Sequence, residues 1–370
     1  MNSLGMQGNP KDIRIVVAMS GGVDSSVAAA LMVEQGFDVI GMTLQLYDHG
    51  MAVGKKGACC AGQDIYDARQ VCDKLGIPHY ILDYESRFSQ AVIEDFVNSY
   101  FKGETPNPCV RCNQQVKFTD MLTTARDLGA KALVTGHYVQ RFGEGQDVEL
   151  HRAMDPTRDQ SYFLFATTQP QLDFLRFPLG GMPKAETRKH AARFSLEVAD
   201  KPDSQDICFV PHGSYVNVLE KLRPGALEDG DIVHINGEVL GHHKGIINYT
   251  VGQRKGLGIG GGEPLYVIRL EPETHCVIVG PYEALACKEI RLKEVNWLKK
   301  AFQNPIRCEV KVRSTRPPTP ADVFFEDDST VRVVFLNPEY GVAPGQACVC
   351  YDKTRVLGGG WIQVLNAPSE

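Results

Sequence analysis

Three stretches of this 370-residue chain carry residue types that do chemistry: the turn Ser20-Gly21-Gly22-Val23-Asp24-Ser25-Ser26, the paired thiols in TPNPCVRCN (105–113), and the single Cys208 in DICF. The turn follows IRIVVAM (13–19), an apolar run rich in β-branched residues that reads as a buried strand. It precedes SSVAAALMVEQG, which reads as a helix ending at Gly36. At such a junction the unpaired N–H groups of the first helical turn and the positive end of the helix dipole hold anions. Glycines let the backbone approach a phosphate and serine hydroxyls add donors. The turn has no GK[ST] ending and no GxGxxG spacing, so neither a Walker A loop nor a nicotinamide fingerprint is present. Cys109-x-x-Cys112 alone fits a zinc pair, a redox disulfide, a cluster pair or the seat of a nucleophile. Zinc is disfavoured, because no second CxxC or CxxH stands at finger spacing.

These residues need a scaffold, and the pattern supplies one. After the turn come VIGMTLQL (strand), DIYDARQVCDKLG (helix), PHYILDY (strand), RFSQAVIEDFVNSYFKG (amphipathic helix), QQVKFTDMLTTARDLG (helix) and KALVTGHY (strand). Alternation of this kind predicts a doubly wound α/β domain with a parallel sheet. Beyond it, VELHRAM reads as a strand, and QSYFLFATT and PKAETRKHAARFSL as helices. After about residue 214 the character changes to short alternating runs with Asp229-Gly230 and Asn236-Gly237 turn signals. The expected organisation is a catalytic α/β domain over 1–213, a small mostly β domain over 214–282, and a C-terminal β-barrel over 283–370. The glycine-rich 252–262 stretch lies among strand signals rather than before a helix, so it reads as a mobile turn region and not as a second nucleotide loop.

Composition sets outer bounds. Residues 1–10 lack the build of a signal peptide and no apolar run is long enough for a bilayer, so a cytoplasmic protein with no membrane partner is expected. There are eleven cysteines. In a reducing compartment Cys72, Cys276, Cys287, Cys308, Cys348 and Cys350 read as small apolar residues, while Cys59-Cys60 stay unassigned. Net charge is −6, yet residues 286–320 hold nine basic residues against Glu289, Glu294 and Glu309. That local excess suits either a nucleic-acid partner or a solvated surface.

SGGVDSS resembles the pyrophosphate loop of ATP pyrophosphatases, the PP-loop enzymes, and the resemblance implies ATP as a substrate for adenylylation. Asp24 would hold Mg2+ or order the loop. Together with TPNPCVRCNQQVKF (105–118), TGHY (135–138), RDQSYFLF (158–165), KPDSQDICFVPHGSY (201–215), YTVGQRKGLGIGG (249–261) and APGQ (343–346), it makes the whole chain similar to the bacterial tRNA-specific 2-thiouridylase family. That resemblance implies a tRNA 2-thiouridylase, a sulfurtransferase acting on the wobble uridine of tRNAs for Lys, Glu and Gln, with a sulfur-relay persulfide donor as partner. It implies Cys208 as the persulfide carrier and Cys112 as its partner nucleophile, the two closing a transient disulfide. ATP would be held by Ala18, Met19, Ser20, Gly21, Gly22, Val23, Asp24 and Ser25, with Leu44 and Gly136. Asn107, Pro108 and Cys109 would meet the base. His137, Arg158, Asp159, Gln160, Arg313, Ser314 and Gln346 would meet the tRNA.

The sequence departs from the family at Cys109, where some members carry Asp, a residue able to act as acid or base. Cys109, Cys112 and Cys208 thereby form three soft ligands for an iron–sulfur cluster, an alternative route to the same product. No metal ligands are otherwise assigned. A PP-loop amidotransferase or synthetase would explain the loop but neither the thiols nor the basic stretch. A non-catalytic RNA-binding protein would leave the thiols unused.

Overall fold

The structure is a computed structural model that describes residues 2–46, 60–203, 207–210, 216, 219–220, 223, 227–260, 262–298, 304–326 and 330–363. The chain divides into two compact units. The first comprises Met1–Val92, Cys109–Phe209 and Thr354–Val356, and the second Ile93–Pro108, Val210–Lys353 and Leu357–Glu370.

The first unit is built on β1 (Arg14–Ala18), β2 (Asp38–Gln45), β3 (His79–Asp83) and β4 (Ala132–Val134), then a hairpin β5 (Val139–Phe142) and β6 (Glu149–Arg152), then a short β7 (Leu175–Arg176). Five of these form a parallel sheet in the order β3-β2-β1-β4-β7. β1 is central, with Val16 opposite Ile40 on one side and Leu133 on the other. Ile15, Val16 and Val17 are all fully buried, as a strand covered on both faces demands. This is the doubly wound sheet expected from the alternating pattern. Because β2 and β4 lie on opposite sides of β1, the chain reverses direction across the sheet there. A crevice opens at the carboxyl ends of β1 and β4, where such folds bind ligands.

Helix Val23–Glu34 buries nine of its residues, including Ala28, Ala29 and Ala30, and packs against helix Lys184–Arg193. It ends because Gly36, at φ +84°, reverses the chain. The Gly36 and Phe37 N–H groups then close back onto the carbonyls of Val33 and Met32. Gly76 and Gly129 terminate their helices with the same pair of bonds.

Three expectations need correction. The thiol-bearing helix begins at Pro108, well before the Gln114 start that QQVKF suggested, and runs through Pro108–Arg111, a π-helical Cys112–Met121 and Leu122–Asp127. QSYFLFATT forms only a 3-10 turn, Ser161–Leu164, because Tyr162, Leu164 and Phe165 are all buried and Thr168 at once caps a new helix, Gln169–Phe174. Cys276 and Cys287 are half-buried, whereas Cys72, Cys308, Cys348 and Cys350 are buried as expected. Cys59-Cys60 falls outside the residues whose side chains are described.

The second unit is mostly β. β8 (Gly230–His234) and β9 (Val239–His243) form the hairpin signalled by Asn236-Gly237. They join β10 (Tyr266–Glu271) and β11 (Cys276–Gly280) in a sheet ordered β10-β11-β8-β9. The glycine-rich stretch precedes β10, with no helix after it. Next come β12 (Ala286–Trp297), β13 (Ile306–Lys311), β14 (Thr319–Phe325), β15 (Val331–Tyr340), β16 (Ala347–Asp352) and β17 (Arg355–Ile362). They run β12-β15-β14-β13-β16-β17, and β12 pairs again with β17 to close an antiparallel barrel. Its interior holds Ile290, Leu292, Val310, Val323, Val333, Cys348 and Cys350. β12 was hidden in the sequence by its charges: Arg291 and Lys293 alternate with buried Ile290 and Leu292. Among the described residues no helix is long and apolar enough to cross a membrane.

Leu133→Ala removes a fully buried side chain beside β1. It should cost about 2–5 kcal/mol by urea unfolding, whereas Leu336→Ala, at an exposed site, should stay within about 0.5 kcal/mol.

Candidate active site

A cavity of about 480 Å3 opens at the carboxyl ends of β1 and β4. Its walls include Ala18, Met19, Ser20, Gly22, Val23, Asp24, Ser25, Leu44 and Gly136, so all the residues expected at ATP except Gly21 line one space. Gly21 lies beneath, at φ +71°, where a Cβ would fall 2.2 Å from the Asp64 carbonyl oxygen. Gly136 passes so close to the helix start that a Cβ would meet the Ser25 nitrogen at 2.8 Å. No side chain caps the helix at Gly22. The loop is instead braced from within: Ser25 Oγ accepts from the Ser20 N–H at 3.1 Å, and Ser26 Oγ donates to the Gly22 carbonyl at 2.8 Å. Helix-start N–H groups that no side chain satisfies suit an anion.

Asp24, half-buried on the cavity wall, belongs to a charged cluster. Lys184, only 7% exposed, holds Asp24 Oδ1 at 2.7 Å and Asp203 Oδ1 at 2.7 Å. The Tyr138 hydroxyl donates to Asp24 at 2.8 Å, in a surround that raises its pKa first by burial and then through Asp24. Asp203 also accepts from Arg158 at 2.8 Å and from Arg188 at 3.2 Å. Burial works against the Asp203 carboxylate, but these cations outweigh it and hold the pKa below the usual value. Lys201 binds the Gly21 carbonyl, Asp64 and Asp67, and the two carboxylates raise its pKa despite burial.

Cys112 and Cys208 line the same cavity. None of Cys109, Cys112 and Cys208 is in a disulfide; Cys112 is buried, whereas Cys109 and Cys208 are exposed. Cys112 stands not before the helix but inside it, a turn past its start, and it is Cys109 that lies in the first turn. Burial pushes the Cys112 thiol above its ordinary value, with the charge of Lys117 opposing. Cys208 is pushed up to about 12, by its dense surround first and then by Cys112 and Cys109. Although its surface is accessible, its concave surroundings disfavour the anion. Among the described residues no three His, Cys, Asp or Glu side chains are placed to hold a metal ion.

Of the residues expected at tRNA, His137, Arg158 and Gln160 face this cavity. Burial, then Lys117, lowers the His137 pKa to about 3, so the ring is neutral at physiological pH. It packs edge-on to Phe118 and pairs with Thr135 Oγ1 at 2.9 Å. Asp159 is turned inward and accepts from the Ala153 and Ser161 N–H groups and the Ser161 hydroxyl. Gln160 accepts from the Tyr138 N–H. In the second unit the distant motifs TPNP and APGQ meet: the Thr105 N–H donates to the Pro344 carbonyl at 2.7 Å, and Gln346 Nε2 donates to the Thr105 carbonyl at 2.9 Å. Asn107 and Pro108 adjoin that junction in sequence. Arg313 spans the carbonyls of Val251 and Gly341 beside half-buried Ser314.

Residues 13–212 match the family described as tRNA methyl transferase HUP domain, 217–281 its PRC-barrel domain and 287–362 an aminomethyltransferase beta-barrel domain. A tRNA-specific 2-thiouridylase of Rhodospirillum centenum is 63% identical over 98% of this chain and 94% of its own length. The chain belongs to the tRNA-specific 2-thiouridylase family. The family enzymes of Paracoccus denitrificans and Rickettsia felis are 60% and 61% identical, over 98% and 95% of this chain and 94% and 97% of theirs.

Sequence reading of this 2-thiouridylase-family chain left Lys184, Lys201, Lys117 and Tyr138 without roles. Lys117, Lys201 and Tyr138 lie inside the family motifs at 105–118, 201–215 and 135–138; Lys184 lies in the helical stretch PKAETRKHAARFSL, outside every such motif, and only its place beside Asp24 reveals it. The basic stretch is also less free than its charge suggested. Arg291, Lys293, Arg307 and Arg316 pair with Glu326, Glu104, Asp322 and Glu339, while Lys299 and Lys300 lie outside the described residues.

Two outcomes follow. With thiol pKa values raised, the thiolate fraction at neutral pH is small and climbs with pH. Iodoacetamide labelling of Cys208, followed by mass spectrometry, should therefore rise about tenfold per pH unit from about pH 7 to 10 without a plateau. Lys184→Met leaves Asp24 and Asp203 facing one another without their shared cation, and should cost about 2–4 kcal/mol by chemical unfolding.

Proposed function

We propose that this chain is an ATP-dependent tRNA-uridine 2-sulfurtransferase that converts the wobble uridine of tRNAs for Lys, Glu and Gln to 2-thiouridine, in the cytoplasm. The observation that carries this reading is an asymmetry among the thiols. Cys208 is both exposed and on the cavity wall, Cys112 is on the wall but buried, and Cys109 is exposed but not on the wall. A protein donor can reach Cys208 to leave a persulfide there, while Cys112 waits behind it.

In this mechanism the uracil C2 oxygen attacks the α-phosphorus of ATP and pyrophosphate leaves. The open helix start at Gly22 and the serines of the loop hold the departing anion. The outer sulfur of the Cys208 persulfide then attacks C2 and forms the C–S bond. A Cys112 thiolate attacks Cys208 Sγ, the S–S bond breaks, and its electron pair stays on the base-bound sulfur. That sulfur forms the thiocarbonyl as AMP leaves. The Cys112–Cys208 disulfide left behind is reset by a dithiol reductant. In a variant order, Cys112 attacks first and the released sulfide reacts at C2.

Asp24 fits a magnesium site, because Mg2+ takes one or two carboxylates and completes its shell with phosphate oxygens and water. Its oxygens are engaged by Lys184 here, so the cation would enter by displacing that contact. Asn107, Pro108 and Cys109 would meet the target base, and neutral His137, with Arg158, Asp159 and Gln160, would contact the tRNA around it. Arg313, Ser314 and the Asn107–Gln346 region form the tRNA face of the second unit, which we divide into a central domain over 214–282 and a barrel over 283–370. The iron–sulfur route is not favoured, since the three thiols are not arranged as a ligand set.

The family description speaks of methyl transfer and the named relatives of thiolation. One experiment separates them. Cys208→Ser should abolish 2-thiouridine while tRNA-dependent pyrophosphate release stays within about threefold of wild type. Retained thiolation would exclude Cys208 as the carrier. Absence of tRNA-dependent pyrophosphate release from the wild-type protein would overturn the adenylylation reading.

A further inference from the structure

Four cationic side chains line the cavity: Lys117, Arg158, Lys184 and Lys201. Arg158 and Lys184 share Asp203, Lys184 also holds Asp24, and Lys201 holds Asp64 and Asp67. Lys117 has no carboxylate partner among the described residues. Among the described residues its charge is therefore uncompensated, in a space shared with Cys112 and Cys208.

The backbone explains how it comes to face them. Residues Cys112–Met121 are wound as a π-helix, and the Thr119 hydroxyl donates to the carbonyl of Gln114 five residues back at 2.8 Å. An α-helix turns about 100° per residue, which would set residues five apart about 140° from one another. A π-helix has about 4.4 residues per turn, which cuts that separation to about 50°. In this winding Cys112 and Lys117 share a face, and both reach the cavity. π-Helical turns are uncommon and gather at functional sites. A ten-residue run that carries the nucleophile is therefore unlike an accident of packing.

We propose that Lys117 stabilises the sulfur anions of the transfer step, and that the π-helical winding serves to bring its ammonium round to the thiols. The inference rests on the sulfurtransferase reading and deepens it. As Cys112 attacks Cys208 Sγ, negative charge passes from one sulfur to another across the cavity. A cation beside that path works against the burial that raises the pKa of all three thiols. Consistent with this, the charge of Lys117 opposes the effect of burial at Cys109, Cys112 and Cys208 alike. His137 stays neutral next to it, so it adds no second charge.

The test compares wild type, Lys117→Gln and Lys117→Arg as full-length proteins. Three quantities are read: iodoacetamide labelling of Cys112 and Cys208 at fixed pH without nucleotide or tRNA, tRNA-dependent pyrophosphate release, and 2-thiouridine formation after loading with sodium polysulfide. Lys117→Gln should slow labelling at least about fivefold and lower thiolation about a hundredfold, with pyrophosphate release within about threefold; Lys117→Arg should recover most of both. Preserved pyrophosphate release also shows that the variant folds. Unchanged labelling overturns the proposal. So does a parallel fall in tRNA affinity and pyrophosphate release, which would make Lys117 a phosphate contact. Slowed labelling without thiolation in any protein, wild type included, supports the charge assignment and overturns the sulfurtransferase reading.

Discussion

The Lys184 ammonium between Asp24 and Asp203 is the contact on which the site depends. One carboxylate belongs to the anion loop and the other to the segment that leads to Cys208. A nearly buried lysine is costly unless paired, and here a single cation pairs with both. Each carboxylate in turn recruits further partners, Tyr138 for Asp24 and the two arginines for Asp203. The positions of the anion loop and of the segment leading to Cys208 are thereby tied to one charge. Whatever displaces Lys184 from Asp24 also alters what Asp203 feels.

Around that contact the sheet supplies position and the helices supply polarity. Reversal of strand order at β1 makes the crevice, and the close pass of Gly136 fixes where the loop after β4 meets the helix start. The thiols then enter from outside the sheet, Cys112 on a helix and Cys208 on irregular chain. The anion loop and the thiols Cys112 and Cys208 thus line one cavity while resting on different elements.

Much of this was legible in the sequence, for identifiable reasons. β1, helix Val23–Glu34 and the Gly36 stop carry local signals: β-branched residues, a glycine-rich junction, a glycine at positive φ. The anion loop was readable for the same reason, since its chemistry lies in consecutive residues. β12 was hidden because exposed Arg291 and Lys293 look like a charge run when Ile290 and Leu292 between them are not weighed by alternation. The helical register of Cys112 was misplaced because a π-helix has no period that sequence patterns test. Lys184 was invisible for a different reason. It stands 160 positions from Asp24, and no local pattern announces a partner that only tertiary structure brings near. The basic stretch misled in the opposite direction, because its acidic partners Glu326, Glu104, Asp322 and Glu339 all lie outside residues 286–320.

The segment Ile93–Pro108 belongs to the second unit although the chain on either side of it belongs to the first. Its Thr105 is bonded to Pro344 and Gln346 near the far end of the sequence. With Thr354–Val356 returning to the first unit, the backbone crosses between the units five times. No single cut of the gene therefore yields two self-sufficient halves. A fragment ending near residue 213 would keep Cys112 and Cys208 but strip TPNP of its partners. The sulfur chemistry and the β-rich part of this protein are inherited together or lost together.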